Sequence, residues 1–201
     1  MAFKLRFPKG KIDYWAGRYA YPNESVLTDQ IGPAARERGY LTREEFLALC
    51  EWKTPRSKPR CATNPESLVR EATGLALASD EERLKVGILQ LLAGVGWPTA
   101  SVILHFCDRG MYPILDYRAL WSLGARPPSA YTFDFWWAYT EYLRRVAVES
   151  KRSMRTIDRA LWQYSKEKQA DWSWGARSMP PGARPFEACA EAPSAAFVDS
   201  P

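Results

Sequence analysis

The sequence predicts an all-α fold. Apolar residues recur three and four positions apart along most of the chain, which is the period of a helix with one buried face. Helix-capping residues precede several of these stretches, and no segment shows the strict alternation of a strand or an internal repeat. With 201 residues, of which 46% are hydrophobic, the chain can bury a sizeable core, as one domain or as two lobes that share a core.

The first part of the chain is predicted to hold short helices separated by caps and prolines. Thr42-Arg43-Glu44-Glu45 is a capping box that opens a helix running to about Trp52. Pro65 suits the first position of another helix, with Thr63 or Asn64 as its cap. The helices predicted here cover residues 12–19, 28–38, 42–52 and 65–77, and residues 55–65 form a loop.

Two helices joined by a glycine turn are predicted over about residues 84–106. An apolar face runs through residues 84–92, and Gly94 and Gly96 then allow a tight turn and the close approach of a partner. Pro98 suits the first turn of the second helix. Amides at the start of such a helix bind anions such as phosphate. A helical hairpin that binds no ligand is the alternative at this point.

The second half of the chain is predicted to hold three further helices and a tail. Asp116 is the natural N-cap of a short helix that Gly124 ends. From residue 170 onward Gly, Pro, Ala and Ser dominate, which predicts a flexible segment. The predicted divisions are helices over 117–123, 132–149 and 153–169, a helical domain over 1–169 and a flexible tail over 170–201.

The order of these features resembles a known family. Leu92-Ala93-Gly94-Val95-Gly96-Trp97-Pro98-Thr99-Ala100 is followed by Tyr112-Pro113-Ile114-Leu115-Asp116, and Asp116 follows Gly94 by 22 positions. This arrangement resembles the helix-hairpin-helix (HhH-GPD) DNA glycosylases of the endonuclease III and alkyladenine types, which cut damaged bases from DNA. The resemblance covers about residues 84–124. It implies a two-lobed helical fold and a partner that is double-stranded DNA carrying a damaged or modified base.

The resemblance also implies roles for residues at the site. Asp116 matches the catalytic carboxylate, which is compatible with its role as an N-cap. The pocket for the flipped base needs aromatic rings, and the nearest in sequence are Trp52, Trp97, Tyr112 and Tyr117. Members that also cleave the DNA strand carry a lysine where this chain has Pro98. We therefore expect a monofunctional enzyme that hydrolyses the glycosidic bond without lyase activity.

The same resemblance predicts how the hairpin holds DNA. The backbone around Gly94, Val95, Gly96 and Thr99 should contact a phosphate. The family hairpin often holds a monovalent cation, K⁺ or Na⁺, on main-chain carbonyls, and the matching positions are Gln90, Leu92 and Val95.

The distribution of charge favours a nucleic-acid partner. Lys and Arg number 28 against 23 acidic residues, a formal net charge of +5. One acid-free loop carries Lys53, Arg56, Lys58 and Arg60, and Arg118 follows the aspartate. A second basic run comprises Arg144, Arg145, Lys151, Arg152, Arg155 and Arg159. Either run alone could be an ordinary solvated face, but two runs around a hairpin favour a phosphate backbone.

Cysteine usage and hydropathy predict a soluble protein without a metallocofactor. Cys50, Cys61, Cys107 and Cys189 show no metal-ligand spacing, so we expect no iron–sulfur cluster and no other cofactor. His105 is expected to be a structural group rather than a ligand. The sequence shows neither a signal-peptide pattern nor an 18-residue apolar run, which predicts no membrane association. A cytoplasmic monomer, nucleoid-associated in a bacterium, fits these features.

Two other functions remain open at this stage. A non-catalytic helix-hairpin-helix protein would bind DNA without needing Asp116. An all-α interaction domain would use the hairpin only structurally and would not bind DNA. Within the glycosylase hypothesis, the excised base could be alkylated, deaminated, oxidised or hypermodified.

Overall fold

The computed structural model describes residues 3–169, and this part of the chain is helical and contains no strand. The all-α prediction is therefore confirmed. The α-helices are α1 (Ile12–Gly17), α2 (Glu24–Val26), α3 (Gly32–Arg38), α4 (Arg43–Lys53), α5 (Lys58–Cys61), α6 (Glu66–Ala78), α7 (Glu82–Leu89), α8 (Trp97–Cys107), α9 (Tyr117–Ser122), α10 (Phe133–Ser150) and α11 (Met154–Lys168). Short 3₁₀ turns cover Lys9–Lys11 and Pro55–Ser57, and a π turn covers Leu27–Ile31.

Helix α8 is the centre of the core. Eight of its eleven residues are buried, and it packs against α3, α4 and α7. Its sequence is apolar on almost every side, which is the pattern of a helix with no solvent-facing stripe. The hairpin turn precedes this helix, so the turn is anchored to the most buried element of the fold.

The N-terminal segment and the last helix meet around α9. The amides of Lys4 and Arg6 donate to the carbonyls of Leu123 (3.0 Å) and Ser122 (2.9 Å). Ser122 Oγ donates to the carbonyl of Leu161 in α11 (2.6 Å), and α11 also packs along α1. These contacts bring residues from both ends of the described chain to the helix that Asp116 begins.

The capping signals predicted at Thr42 and Gly124 are confirmed. Thr42 and Glu45 form both bonds of a capping box at the start of α4. Thr132 caps α10 through the amide of Phe135 (3.3 Å). Gly124 follows α9 with a φ of 67°, as expected for a glycine that ends a helix.

The predicted loop over 55–65 was wrong in part. It contains a 3₁₀ turn and the one-turn helix α5, because Pro55 and Pro59 occupy first-turn positions where a missing N–H costs nothing. Pro65 is itself the N-cap residue of α6 and makes no side-chain cap. The helix before the hairpin ends at Leu89 rather than Leu92, and the next residues form turns.

The first compact unit of the chain ends at Lys168. The tail predicted over 170–201 lies outside the described residues, as does Cys189. Within the described residues, no helix combines the length and apolarity needed to cross a bilayer.

Candidate active site

Asp116 lies at the N-terminus of α9 and uses both carboxylate oxygens. Oδ1 accepts a hydrogen bond from the amide of Arg118 (2.8 Å), which makes Asp116 the N-cap of the helix. Oδ2 accepts from Nζ of Lys53, also at 2.8 Å. The side chain of Asp116 is 19% exposed and that of Lys53 is 10% exposed. The carboxylate is thus sheltered but still reachable from the surface.

These partners keep Asp116 ionised. Burial acts to raise the pKa of Asp116, but Lys53 and the Arg118 amide and guanidinium outweigh it, so the pKa is lowered. A carboxylate with this environment is a fixed negative charge at neutral pH. Such a group stabilises a positive charge that develops next to it.

Lys53 is the last residue of α4 and comes from a segment 63 positions before Asp116. The sequence grouped it with the acid-free basic loop, whereas the structure brings it to the carboxylate. Nothing local in the sequence signals this pairing. The other members of the loop lie on the outside: Lys58 pairs with Glu51 (2.7 Å), and Arg56 and Arg60 are exposed.

Four aromatic rings form a cluster beside this ion pair. We call Tyr19, Tyr21, Trp52 and Trp162 the aromatic cluster. Tyr21 lies at its centre, with ring centroids 5.3 Å from Trp52, 5.5 Å from Trp162 and 6.3 Å from Tyr19. Trp52 directly precedes Lys53, and the guanidinium of Arg118 lies 5.4 Å from the Trp162 ring centroid. The cluster is therefore linked to Asp116 through its two hydrogen-bond partners, Lys53 and Arg118.

The four aromatic residues predicted for a base pocket separate into two groups. Trp52 belongs to the aromatic cluster, and Tyr117 immediately follows Asp116. Trp97 and Tyr112 instead lie 6.0 and 6.1 Å from the ring centroid of Trp136. Tyr112 is also 3% exposed, and its hydroxyl donates to Glu82 (2.7 Å). Sequence reasoning did not select Tyr19, Tyr21 or Trp162, which are remote from Asp116 along the chain.

The two hairpin glycines serve different purposes. Gly94 has a φ of 82°, and a Cβ there would lie 2.7 Å from Sγ and 2.9 Å from the backbone nitrogen of Cys61. Gly94 is therefore needed for packing against α5. A Cβ at Gly96 would meet only Cδ of Pro98, at 3.9 Å. The fold itself leaves open space at Gly96, so a glycine there permits the approach of something outside.

Asn64 fixes the hairpin turn through hydrogen bonds to its backbone. Its amide nitrogen donates to the carbonyls of Cys61 (2.8 Å) and Ala93 (2.9 Å), and its oxygen accepts from the Ala93 amide (2.8 Å). The sequence had suggested Asn64 as a helix cap, and that prediction was wrong. A buried amide that satisfies three backbone groups fixes the turn in one geometry.

The start of α8 is available for an anion. Gly96 is its N-cap residue and supplies no side-chain cap, and Pro98 occupies the first turn. Val95 and Thr99 are buried, so only their backbone could contact a ligand. The carbonyl of Leu92 accepts from the Val95 amide (3.1 Å). The cation site on the carbonyls of Gln90, Leu92 and Val95 stays a prediction.

The second basic run is largely engaged in ion pairs. Arg155 and Arg159 both pair with Glu24, and Arg155 also pairs with Asp158. Arg144 pairs with Glu82 (3.3 Å) and Arg152 with Asp13 (2.6 Å). Glu24, Glu82 and Asp13 come from distant parts of the chain, so the sequence did not reveal these pairings, whereas Asp158 lies within the run. The run therefore gives little support to a phosphate-binding surface.

The two acids of this ion-pair network, Glu24 and Asp158, differ in pKa. Burial acts to raise the pKa of Glu24, but its hydrogen bonds and ion pairs with Arg155 and Arg159 lower it to about 2. Burial dominates at Asp158 and raises its pKa to about 6. Arg155 connects this network to the aromatic cluster, since its guanidinium lies 5.7 Å from the Trp52 ring centroid.

His105 is a structural residue, in line with the expectation that it is not a ligand. Its Nδ1 donates to the carbonyl of Tyr112 (2.6 Å), and burial lowers its pKa to about 3. The ring is therefore neutral and fixes the segment that leads to Asp116.

A cavity of about 760 Å³ lies away from Asp116, between α3 and the segment after α8. Its charged lining residues are mostly paired with one another: Lys85 with Asp108 (2.5 Å), and Arg144 with Glu82. Asp116 and the aromatic cluster do not line this cavity. We assign the candidate site to Asp116, because it is the residue that the 22-position spacing from Gly94 selects and its ionised carboxylate is sheltered but partly exposed.

Comparisons with known proteins do not identify a relative of this chain. No family model matches it, and no curated protein or solved structure matches it. The functional argument therefore depends on the residues and their geometry.

Proposed function

We propose that this protein is a DNA N-glycosylase, which flips a damaged or modified base out of double-stranded DNA and hydrolyses its N-glycosidic bond. The observation that carries the proposal is the ionised carboxylate of Asp116, 22 positions after Gly94 and bonded to Lys53, which follows Trp52 of the aromatic cluster in α4. A flipped base needs ring surfaces on which to stack. Cleavage of its bond creates positive charge on the sugar, which a fixed carboxylate stabilises.

Asp116 would act on the sugar rather than on the base. With C1′ of the flipped nucleotide next to the carboxylate, the charge of Asp116 lowers the barrier to departure of the base. The same group positions the water that then attacks C1′. Lys53 would be a positioning residue, since it keeps Asp116 ionised and oriented.

The hairpin and the exposed arginines would hold the DNA backbone. The amides at Gly96 and Thr99 contact one phosphate, and Gly96 allows the strand to approach closely. Arg60 lies beside Gly94, since its Cβ is 3.2 Å from the position of a Cβ on that glycine. Arg60 can therefore reach a neighbouring phosphate, and Arg56, in the same basic loop, would contact the backbone further along.

The proposal includes the cytoplasmic, monomeric and monofunctional character expected from the sequence. Pro98 cannot form an imine, and the amine of Lys53 is occupied by Asp116. Borohydride should therefore trap no protein–DNA adduct on a substrate that the enzyme cuts. A trapped adduct that disappears in Lys53→Ala would contradict this prediction and identify Lys53 as a nucleophile.

The test of the proposal is a panel of duplex oligonucleotides with one modified base each, treated with alkali to reveal abasic sites. The panel covers alkylated, deaminated, oxidised and hypermodified bases. Base release that Asp116→Asn abolishes supports the proposal. No release from any member, with duplex binding intact, would contradict it.

A non-catalytic DNA-binding protein is the second candidate. The observation that favours it is the cap formed by Asp116 on α9, which accounts for this residue without catalysis. This candidate predicts salt-dependent duplex binding, no base release and no change in binding for Asp116→Asn.

A further inference from the structure

The cavity that lies away from Asp116 has the size of a small-molecule site. Its volume of about 760 Å³ falls within the range of roughly 300–1,000 Å³ that ligand pockets span. It lies between α3, the turn that joins α6 to α7, and the segment that follows α8. Ala35, Leu77 and Met111 give it an apolar wall, and charged side chains complete the lining. The cavity can therefore take both the organic body and the charged end of a ligand.

The charges of this lining do not cancel. Two ion pairs, Lys85 with Asp108 and Arg144 with Glu82, neutralise four of the lining residues. The charged residues that remain are Arg36, Arg109 and Asp80. Within residues 3–169, no acidic side chain forms an ion pair with either of these two arginines. The lining therefore carries a net positive charge, and two guanidinium groups are available for an anion.

Two of the basic side chains also keep unused hydrogen-bond donors within the described part of the chain. The guanidinium of Arg36 has five N–H donors, and its hydrogen bond goes to the carbonyl of Phe106. The ammonium of Lys85 has three donors and donates to Asp108, although Lys85 is only 7% exposed. Ligand oxygens in the cavity would accept from these donors, and hydrogen bonds to charged groups are the stronger ones.

We propose that this cavity binds a small organic phosphate monoester. Such a group carries roughly two negative charges at neutral pH, which matches the two guanidinium groups that lack an ion pair. A carboxylate supplies one charge and fewer acceptor oxygens. Asp80 would accept from a hydroxyl group on the organic body. Because Asp116 does not line the cavity, this site goes beyond the proposed function and does not depend on it.

The first test is titration calorimetry on the full chain without DNA. The probes are ribose 5-phosphate and inorganic phosphate, and the matched probes without the dianionic group are ribose and acetate. We expect ribose 5-phosphate to bind at least about tenfold more tightly than ribose, and inorganic phosphate more tightly than acetate. Equal binding of ribose and ribose 5-phosphate, or no binding of either phosphate, would contradict the inference.

Ala78 offers a variant that places a negative charge in the cavity without breaking an ion pair. It is the exposed last residue of α6 and belongs to the lining. Ala78→Glu should weaken binding of ribose 5-phosphate by about tenfold or more, whereas Ala78→Gln, which adds a side chain of the same size without charge, should bind as the wild type does. Equal affinities of the two variants would show that the phosphate binds elsewhere on the protein.

A second pair of variants removes a positive charge. Arg109→Gln should weaken binding of ribose 5-phosphate by about tenfold, because Arg109 would donate to the phosphate. Arg145→Gln is the control, since Arg145 is an exposed arginine of α10 that does not line the cavity. Thermal unfolding of each variant checks that the fold is retained. A larger loss in Arg145→Gln than in Arg109→Gln would contradict the assigned site.

Competition with DNA distinguishes a small molecule from a strand phosphate, which shares part of this chemistry. Excess undamaged duplex should leave binding of ribose 5-phosphate unchanged, and Ala78→Glu should bind the duplex as Ala78→Gln does. Displacement of ribose 5-phosphate by the duplex, together with weaker duplex binding in Ala78→Glu, would assign the cavity to the DNA backbone and contradict the inference.

Discussion

At the scale of single residues, the account depends on the pair of Asp116 and Lys53. Asp116 could be selected from the sequence, because its place after Tyr112-Pro113 and its spacing from Gly94 are local features of the chain. Lys53 could not, because the contact joins residues 63 positions apart. The same holds for Trp162, which lies on α11 and comes near Arg118 through the packing of α11 against α9, and for Tyr21, in the segment after α1, which contacts Trp162.

Replacing Lys53 should change the pH dependence of base release. Because Lys53 helps to lower the pKa of Asp116, Lys53→Met should raise that pKa. Activity that requires the carboxylate is lost as the pH falls through its pKa, so the variant should lose activity at a higher pH than the wild type.

The measurement is single-turnover rate against pH on a substrate that the enzyme cuts. Lys58→Met is the control, since Lys58 pairs with the exposed Glu51 and should leave the acid limb in place. If the rate of Lys53→Met fell at the same acidic pH as that of the wild type, Asp116 would not be the titrating group.

At the scale of elements, the caps at Thr42 and Gly124 were predicted from the sequence, the cap of α6 was predicted wrongly, and the hairpin was predicted in part. Thr42, Thr132 and Gly124 act on residues within one turn of themselves, so their effects can be read from short stretches of sequence. The glycine spacing predicted a turn before α8 but did not separate the roles of the two glycines. Gly94 differs from Gly96 because it packs against α5, a short helix that the sequence did not reveal because its segment contains two first-turn prolines.

Substitutions of the two hairpin glycines should have opposite consequences. Gly94→Ala should destabilise the fold by about 1–3 kcal/mol, because it adds a Cβ at positive φ against Cys61. Gly96→Asp should leave stability near that of the wild type, since space is open there. It should weaken binding to every duplex alike, because a phosphate contact carries no base information.

Denaturant unfolding and binding to undamaged duplexes of different sequence check both halves of this prediction. Gly96→Ala serves as the control for the added charge. If Gly96→Asp binds DNA as tightly as the wild type, the hairpin is a structural turn only.

At the scale of the whole molecule, formal charge overstates the surface available to DNA. Four members of the second basic run, Arg144, Arg152, Arg155 and Arg159, pair with acids from α1, α2 and α7, and these pairings depend on the complete fold. Arg60 is exposed beside Gly94 of the hairpin. A count of charges along the sequence could not distinguish the two groups.

Salt dependence measures this distinction. Replacing Arg56 and Arg60 together by Gln should reduce the slope of log K against log salt by up to about two, one for each phosphate contact. Arg152→Gln should leave the slope unchanged, since Arg152 pairs with Asp13. If Arg152→Gln reduced the slope and the double variant did not, the DNA-binding surface would lie near Arg152 and not beside the hairpin.

The central claim is that Asp116 stabilises the charge formed during base release. The most direct measurement is the single-turnover rate of Asp116→Asn on the lesion found by the panel, beside the exposed control Asp134→Asn. We expect Asp116→Asn to be slower by about 10²-fold or more, with duplex binding and the circular dichroism spectrum retained, and Asp134→Asn to match the wild type. A wild-type rate of base release in Asp116→Asn would contradict the account.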